Sequence, residues 1–186
     1  MNKNEEIPLR KAFQTNNWSG WEENELLFSN IEHKQKDNMH LYNYGKNVLV
    51  DRNHPVIMKC RGLVVDDTGK ILCYPFERFF NDFEKEKTEI DWSTAEAQEK
   101  LDGSLVNIFW TNNKWQVTTR GSFYDGKEEN FDTWFKKLFN KFDKLDKKYC
   151  YFFELCCQSN RIITFYKEEF ITLLGARNLQ TLEEKR

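Results

Sequence analysis

From Asn47 onward, apolar residues recur in short runs or alternate with polar ones, which is the pattern of strands. Asn47–Val50, Cys60–Asp67 and Gly69–Phe76 each read as a strand, the last two joined by Asp67-Thr68-Gly69, a hairpin turn. Ser104–Trp110 and Trp115–Phe123 flank a second turn at Thr111-Asn112-Asn113-Lys114. Further strands are expected at Tyr149–Cys156, Arg161–Tyr166 and Phe170–Asn178, and Thr181–Arg186 reads as the start of another element. One helix stands out, from about Glu128 to Phe142. Its Phe131, Trp134, Phe135, Leu138, Phe139 and Phe142 form one apolar stripe, and Asp125 with Glu128 resembles a capping box at its start. A shorter helix is expected over Glu22–Phe28, with Leu26, Leu27 and Phe28 as its apolar face. The polar stretch before Asn47 reads as loop with one short strand, and Glu84–Thr94 as surface loop or a short helix. The expected class is α+β, antiparallel sheets flanked by helices.

A chain of 186 residues fits one domain with a substantial core, and 16% aromatic residues argue against disorder. Charged residues make up 31%, and no apolar run approaches the roughly 20 residues that span a bilayer, so no membrane association is expected. The N-terminus, Met1 to Lys11, lacks the apolar stretch of a signal peptide, which predicts a cytoplasmic location. With 28 basic and 30 acidic residues the net charge is -2; this excludes a bulk electrostatic grip on nucleic acid but not a local basic cleft. Five cysteines, at 60, 73, 150, 156 and 157, include no C-x-x-C pair and suit a reduced core. His33, His40 and His54 share no metal-ligand spacing.

The stretch Glu99-Lys100-Leu101-Asp102-Gly103-Ser104 carries the candidate chemistry. Asp-Gly is a turn dipeptide, and a solvated lysine beside it is the ordinary reading. Here, however, the lysine ends a predicted strand and is followed at once by an acid and a glycine. A strand-end lysine facing a cleft can be partly desolvated, which frees its amine as a nucleophile. Gly103 would let the backbone approach a phosphate or a purine closely.

Other segments extend the pattern. Cys60-Arg61-Gly62-Leu63-Val64-Val65-Asp66 and Pro75-Phe76-Glu77-Arg78-Phe79-Phe80-Asn81 lie upstream of the lysine. Thr119-Arg120-Gly121-Ser122, then Phe153-Glu154-Leu155, then Asn160-Arg161-Ile162-Ile163 with Tyr166, and Leu173-Leu174-Gly175-Ala176-Arg177-Asn178 lie downstream. In this order the set resembles the covalent nucleotidyltransferases, and most closely the phage-type ATP-dependent RNA ligases that repair cleaved tRNA. Arg78 and Arg120 stand where lysine is usual in those relatives. The resemblance runs from about residue 48 to residue 178.

It implies an ATP-grasp-like nucleotidyltransferase domain that uses ATP in two steps, forming a lysyl-AMP on Lys100 and passing AMP to a 5′-phosphate RNA end for sealing by a 3′-hydroxyl. The implied substrates are RNA ends, tRNA among them, in the host cytoplasm if the chain is phage-encoded. In this reading the Glu99 backbone and Leu101 contact adenine, Arg61 and Arg78 meet phosphates, and Arg120 lies near the ribose or phosphates. Asp102 and Glu154 would hold Mg²⁺ through water, and Gly103, Asn160 and Arg161 support the motifs. Glu154 sits in an apolar run, Phe152-Phe153-Glu154-Leu155-Cys156-Cys157, where an unpaired carboxylate costs several kcal/mol. Trp18, Trp21, Tyr42 and Tyr44 are secondary candidates for stacking on RNA bases.

Relatives carry two further motifs, an acidic-glycine segment and a K-x-K segment, and neither lies within Leu179–Arg186. A single adenylyltransferase domain over residues 1–186, truncated before those motifs, is therefore expected, with a C-terminal companion segment as a candidate partner. Weak sealing by the chain alone follows, since each lost transition-state charge contact costs about 3–4 kcal/mol. The alternatives are a catalytically weak nucleotide- or RNA-binding remnant, half of a split ligase, and a DNA ligase or capping-type nucleotidyltransferase.

Overall fold

A computed structural model describes residues 30–46, 52–124 and 130–185. Four strands, β1 (Ile31–Lys36), β2 (Met39–Tyr44), β3 (Arg61–Asp66) and β4 (Ile71–Cys73), form one antiparallel sheet in chain order. A five-residue helix, α1 (Pro55–Lys59), precedes β3. The second sheet comprises β5 (Ser104–Thr111), β6 (Lys114–Thr119), β7 (Tyr149–Cys156), β8 (Phe170–Asn178) and β9 (Glu184–Lys185), in the order β6-β5-β7-β8-β9. Helix α2 (Phe131–Leu138) lies between β6 and β7 in the chain. The class is α+β with two antiparallel sheets. No described helix is long and apolar enough to cross a membrane.

Local chemistry sets the turns. Asn112 and Asn113 adopt φ 50° and 57°, the left-handed pair of a two-residue hairpin that asparagine tolerates better than most residues. Between β3 and β4, Gly69 takes φ 82°, and the Asp66 carboxylate accepts the Thr68 and Lys70 N–H groups at 2.9 and 3.0 Å. The stretch before Asn47, expected as loop with one short strand, carries two, a β1–β2 hairpin turning at Asp37 and Asn38. Its first strand is an edge strand with Glu32, Lys34 and Gln35 exposed, so it lacks the apolar alternation that sequence reading relies on.

Side-chain alternation separates three apolar layers. In β3, Leu63 and Val65 face Val56 and Ile57 of α1, while Val64 faces the second sheet. Between the sheets, Met39, Leu41, Val64 and Cys73 pack with Phe109, Cys150 and Phe152. On the far face of the second sheet, Val106, Ile108, Phe153 and Leu155 receive Phe135 of α2. The same alternation turns Glu154 toward the inter-sheet side, with Cys150 and Phe152. All five cysteines are free and buried.

Two expectations change. Helix α2 ends at Leu138, short of Phe142, and its capping box is Asn130 with Thr133. Phe139 is extended and Phe142 starts a 3₁₀ turn, yet both still pack against Phe135 and Phe153 or the rings beside them. The stripe thus reported contact with the core, which helix and extended chain both satisfy. Arg161–Tyr166 is not a strand: β7 is already paired with β5 and β8, leaving no free edge beside it. Of the two readings of Glu84–Thr94, the structure has loop. The expected strand Asn47–Val50, helix Glu22–Phe28, Trp18 and Trp21, and the Asp125–Glu128 capping pair lie outside the described residues.

Candidate active site

The sheets part where β3 and β5 begin, and a cleft of about 540 Å³ opens there. Its lining includes Arg61, Phe79, Glu99, Lys100, Leu101 and Glu154. Lys100 does not end a strand. It sits in irregular chain four residues before β5 and is exposed, so burial does not set its amine apart. Both Glu154 and Asp102 lie within electrostatic reach of its amine.

Gly103 makes this turn possible. A Cβ built on it would lie 2.4 Å from the Leu155 carbonyl oxygen and 2.9 Å from Cys156 Sγ, so only glycine lets the turn rest on β7. From there the Gly103 N–H donates to Glu154 Oε1 at 3.0 Å. Burial raises the Glu154 carboxyl above its ordinary value, and the Gly103 N–H, Lys100 and Arg61 all oppose that rise. A carboxyl raised in the fold contributes stability that is complete below its unfolded value of about 4.5 and is lost as pH climbs through the folded value. Glu154→Gln should therefore raise Tm at neutral pH, with a gain that shrinks toward about pH 4. Thermal melts from about pH 4 to pH 8 check this, and a pH-independent difference would refute it.

Asp102 faces the other way. Its carboxylate Oδ2 accepts the Ile163 N–H at 2.8 Å and the Thr164 N–H, and its own N–H donates to Tyr166 Oη at 3.0 Å. These backbone donors hold the Asp102 carboxyl below its ordinary value. Asn160 Nδ2 donates to Ser104 Oγ at 2.6 Å, tying the next loop to the first residue of β5. Arg161 Nε donates to the Ile163 carbonyl at 3.3 Å.

Three guanidinium groups gather around one phenol. Arg78 lies 4.4 Å and Arg120 5.2 Å from the Tyr44 ring centroid, Arg120 Nη1 is 3.4 Å from Tyr44 Oη, and Arg61 interacts electrostatically with Tyr44. Like charges converge only where something else offsets them. Gly62, at φ 88°, allows the convergence: a Cβ there would stand 3.1 Å from Arg120 Cα. Burial lowers the Arg61 and Arg78 guanidinium groups from their ordinary value, and Arg120 pushes Arg61 the same way. Nη1 of Arg61 and Nη1 of Arg78 are buried without a hydrogen-bond partner among the described residues. Such donors suit the oxygens of a phosphate, which guanidinium binds as a fork.

No three His, Cys, Asp or Glu side chains among the described residues converge into a metal cage. Of the two carboxylates that interact with Lys100, Glu154 lines the cleft whereas Asp102 Oδ2 is taken by the Ile163 and Thr164 N–H groups, so Glu154 is the one placed to meet the water shell of a divalent ion such as Mg²⁺.

The family model described as RNA ligase matches residues 59–186. The chain belongs to the RNA ligase family. It is 33% identical over 159 residues to a protein of Autographa californica nuclear polyhedrosis virus described as a bifunctional polynucleotide kinase/RNA ligase, a match covering 70% of this chain and 23% of that protein. It is 25% identical over 189 residues to an RNA ligase of Rhodothermus phage RM378, covering 78% of this chain and 42% of the relative. The chain thus spans less than half the length of either relative.

Within this RNA ligase family member, the cleft collects Arg61, Glu99, Lys100, Leu101, Gly103 and Glu154. Arg78 and Arg120 join through Tyr44, and Asp102, Asn160 and Arg161 stand behind the turn. Tyr44, a secondary candidate for base stacking in the sequence, lies in the guanidinium cluster. Tyr42 is fully buried against α1 and cannot stack on a base at the surface. Asn107 was missed. It is fully buried, both of its side-chain polar atoms are unpartnered among the described residues, and its Nδ2 is 3.5 Å from the Cβ position of Gly62. The available signal was one amide inside the apolar run Leu105-Val106-Asn107-Ile108-Phe109.

Proposed function

We infer that this chain is an adenylyltransferase unit of an ATP-dependent RNA ligase, with a nucleotidyltransferase fold whose two sheets enclose the ATP cleft. The observation that carries this is the pair of buried, unpartnered Nη1 donors of Arg61 and Arg78, in a cluster whose Arg61 lines the same cleft as Lys100. Guanidinium nitrogens with no protein acceptor, one of them on an arginine that shares a cleft with an amine, suit a polyphosphate, and in-line phosphoryl transfer depends mainly on positioning and charge neutralisation.

In the first step Lys100 Nζ attacks the α-phosphorus of ATP. An N–P bond forms, the bond to the bridging oxygen breaks, pyrophosphate leaves and the amine gives up a proton to solvent. Arg61 and Arg78 neutralise the phosphates, Arg120 joins them through the Tyr44 cluster, and the Glu99–Leu101 backbone lies where the adenosine would be held. In the second step the N–P bond breaks as a 5′-phosphate RNA end takes the AMP. A 3′-hydroxyl then displaces AMP and closes the strand. Glu154 would hold Mg²⁺ through water, with Asp102 adding its charge from behind the turn, and the ion would add charge neutralisation at the phosphates. RNA ends of cleaved tRNA in the cytoplasm are the proposed substrate.

Incubation of the full chain with ATP and Mg²⁺ should give an intact-mass increase of one AMP. GTP should give none. Absence of the adduct, with ATP still bound, would assign the chain to nucleotide binding without chemistry.

A further inference from the structure

The loop Arg161–Tyr166 leaves Ile162, Ile163 and Phe165 54%, 77% and 58% exposed. This loop is nevertheless pinned to the turn carrying Lys100 by three hydrogen bonds with Asp102. Exposed apolar side chains on a pinned loop mark a surface that meets something. Behind the loop lies a second cavity of about 180 Å³, lined by Asp102, Gln158, Arg161, Phe165, Tyr166 and Glu168. It is smaller than the roughly 300 Å³ at which pockets for whole drug-sized ligands begin, and so is sized for a single ring system. Lys100, Leu101 and Gly103 line the first cleft and Asp102 the second, so the two cavities share one turn.

The lining suits a flat, heteroatom-edged ring. Phe165 offers a stacking face, with the Arg161 guanidinium carbon 5.6 Å from its centroid. The Gln158 amide, Arg161 guanidinium and Glu168 carboxylate together supply the donors and acceptors that a base edge requires. We propose that this cavity receives one unpaired nucleobase at the RNA end being joined, stacked on Phe165 and read at its edge by these three side chains. The proposal rests on the reading of RNA as the substrate. Because Asp102 bonds to the loop on one side and leads to Lys100 on the other, an occupied pocket would also fix the catalytic turn.

Single-stranded oligoribonucleotides carrying 2-aminopurine at the 5′-phosphate end, or at the 3′-hydroxyl end, test this with the full chain. Stacking should quench the fluorescence of one of the two. Phe165→Ala should abolish that quenching and weaken RNA binding about tenfold, and Phe165→Trp should restore both. An abasic residue at the same RNA position should weaken binding to the parent by a similar factor and cause little further loss in Phe165→Ala. Equal binding of intact and abasic RNA by the parent, or quenching that survives Phe165→Ala, overturns the proposal. So does a tenfold slowing of AMP adduct formation from ATP alone in Phe165→Ala, which would give the cavity to the adenine of ATP. If the parent forms no adduct, the adenylylation reading fails, while the quenching and abasic measurements still decide this one.

Discussion

Lys100→Ala is expected to leave no AMP adduct after incubation with ATP and Mg²⁺, read by intact mass, because the attacking atom itself is gone. Lys100→Arg should be equally inactive, since a guanidinium stays charged and is not a nucleophile near neutral pH. The side chain is exposed and sits outside any strand, so both variants should melt within about 0.5 kcal/mol of the parent, the usual range for surface positions. That contrast separates a chemical role from a structural one. Arg61 differs: its guanidinium is half-buried and set over Phe79 at 4.8 Å, so truncating it removes packing as well as charge. An AMP adduct that persists in Lys100→Ala would move the nucleophile elsewhere and dissolve the proposed first step.

The strands that sequence reading found were those with a buried face. Cys60–Asp67, Ser104–Trp110 and Tyr149–Cys156 all carry the alternation or apolar run that burial imposes, and all became strands. β1 escaped because an edge strand needs little apolar alternation. Arg161–Tyr166 misled for the opposite reason: its β-branched and aromatic residues carry strand propensity, yet they are exposed on a loop held by Asp102. Propensity yields when the neighbouring strand, here β7, is paired on both sides. The residues around Lys100 were legible because each lies in a short motif that local chemistry constrains. Tyr44 and Asn107 were not, because their significance comes from placement. One brings together three arginines separated in sequence, and the other puts an amide between two sheets. The orientation of Asp102 was equally hidden, since its hydrogen-bond donors lie more than sixty residues downstream.

Gly103→Ala is expected to harm both stability and chemistry, for a reason of space and not of backbone angle. Ser104 pairs with Leu155 in the β5–β7 ladder, so the turn before Ser104 lies directly against β7. The added methyl would meet a backbone carbonyl oxygen, which cannot rotate aside as a flexible side chain would. The turn must retreat, stretching the 3.0 Å bond from the Gly103 N–H to Glu154 and carrying Lys100 away from the cleft. Overpacking of this kind costs about 1–3 kcal/mol. Displacement of an attacking group by about 1 Å can cost about a hundredfold in rate. A lower Tm together with a hundredfold slower appearance of the AMP adduct is therefore expected. Gly121 is the control: nothing lies within 4 Å of its Cβ position, although it too belongs to a matched motif. Gly121→Ala should keep the parental Tm. Were Gly103→Ala to melt and adenylylate like the parent, the close approach of this turn to β7 would not be what positions the lysine.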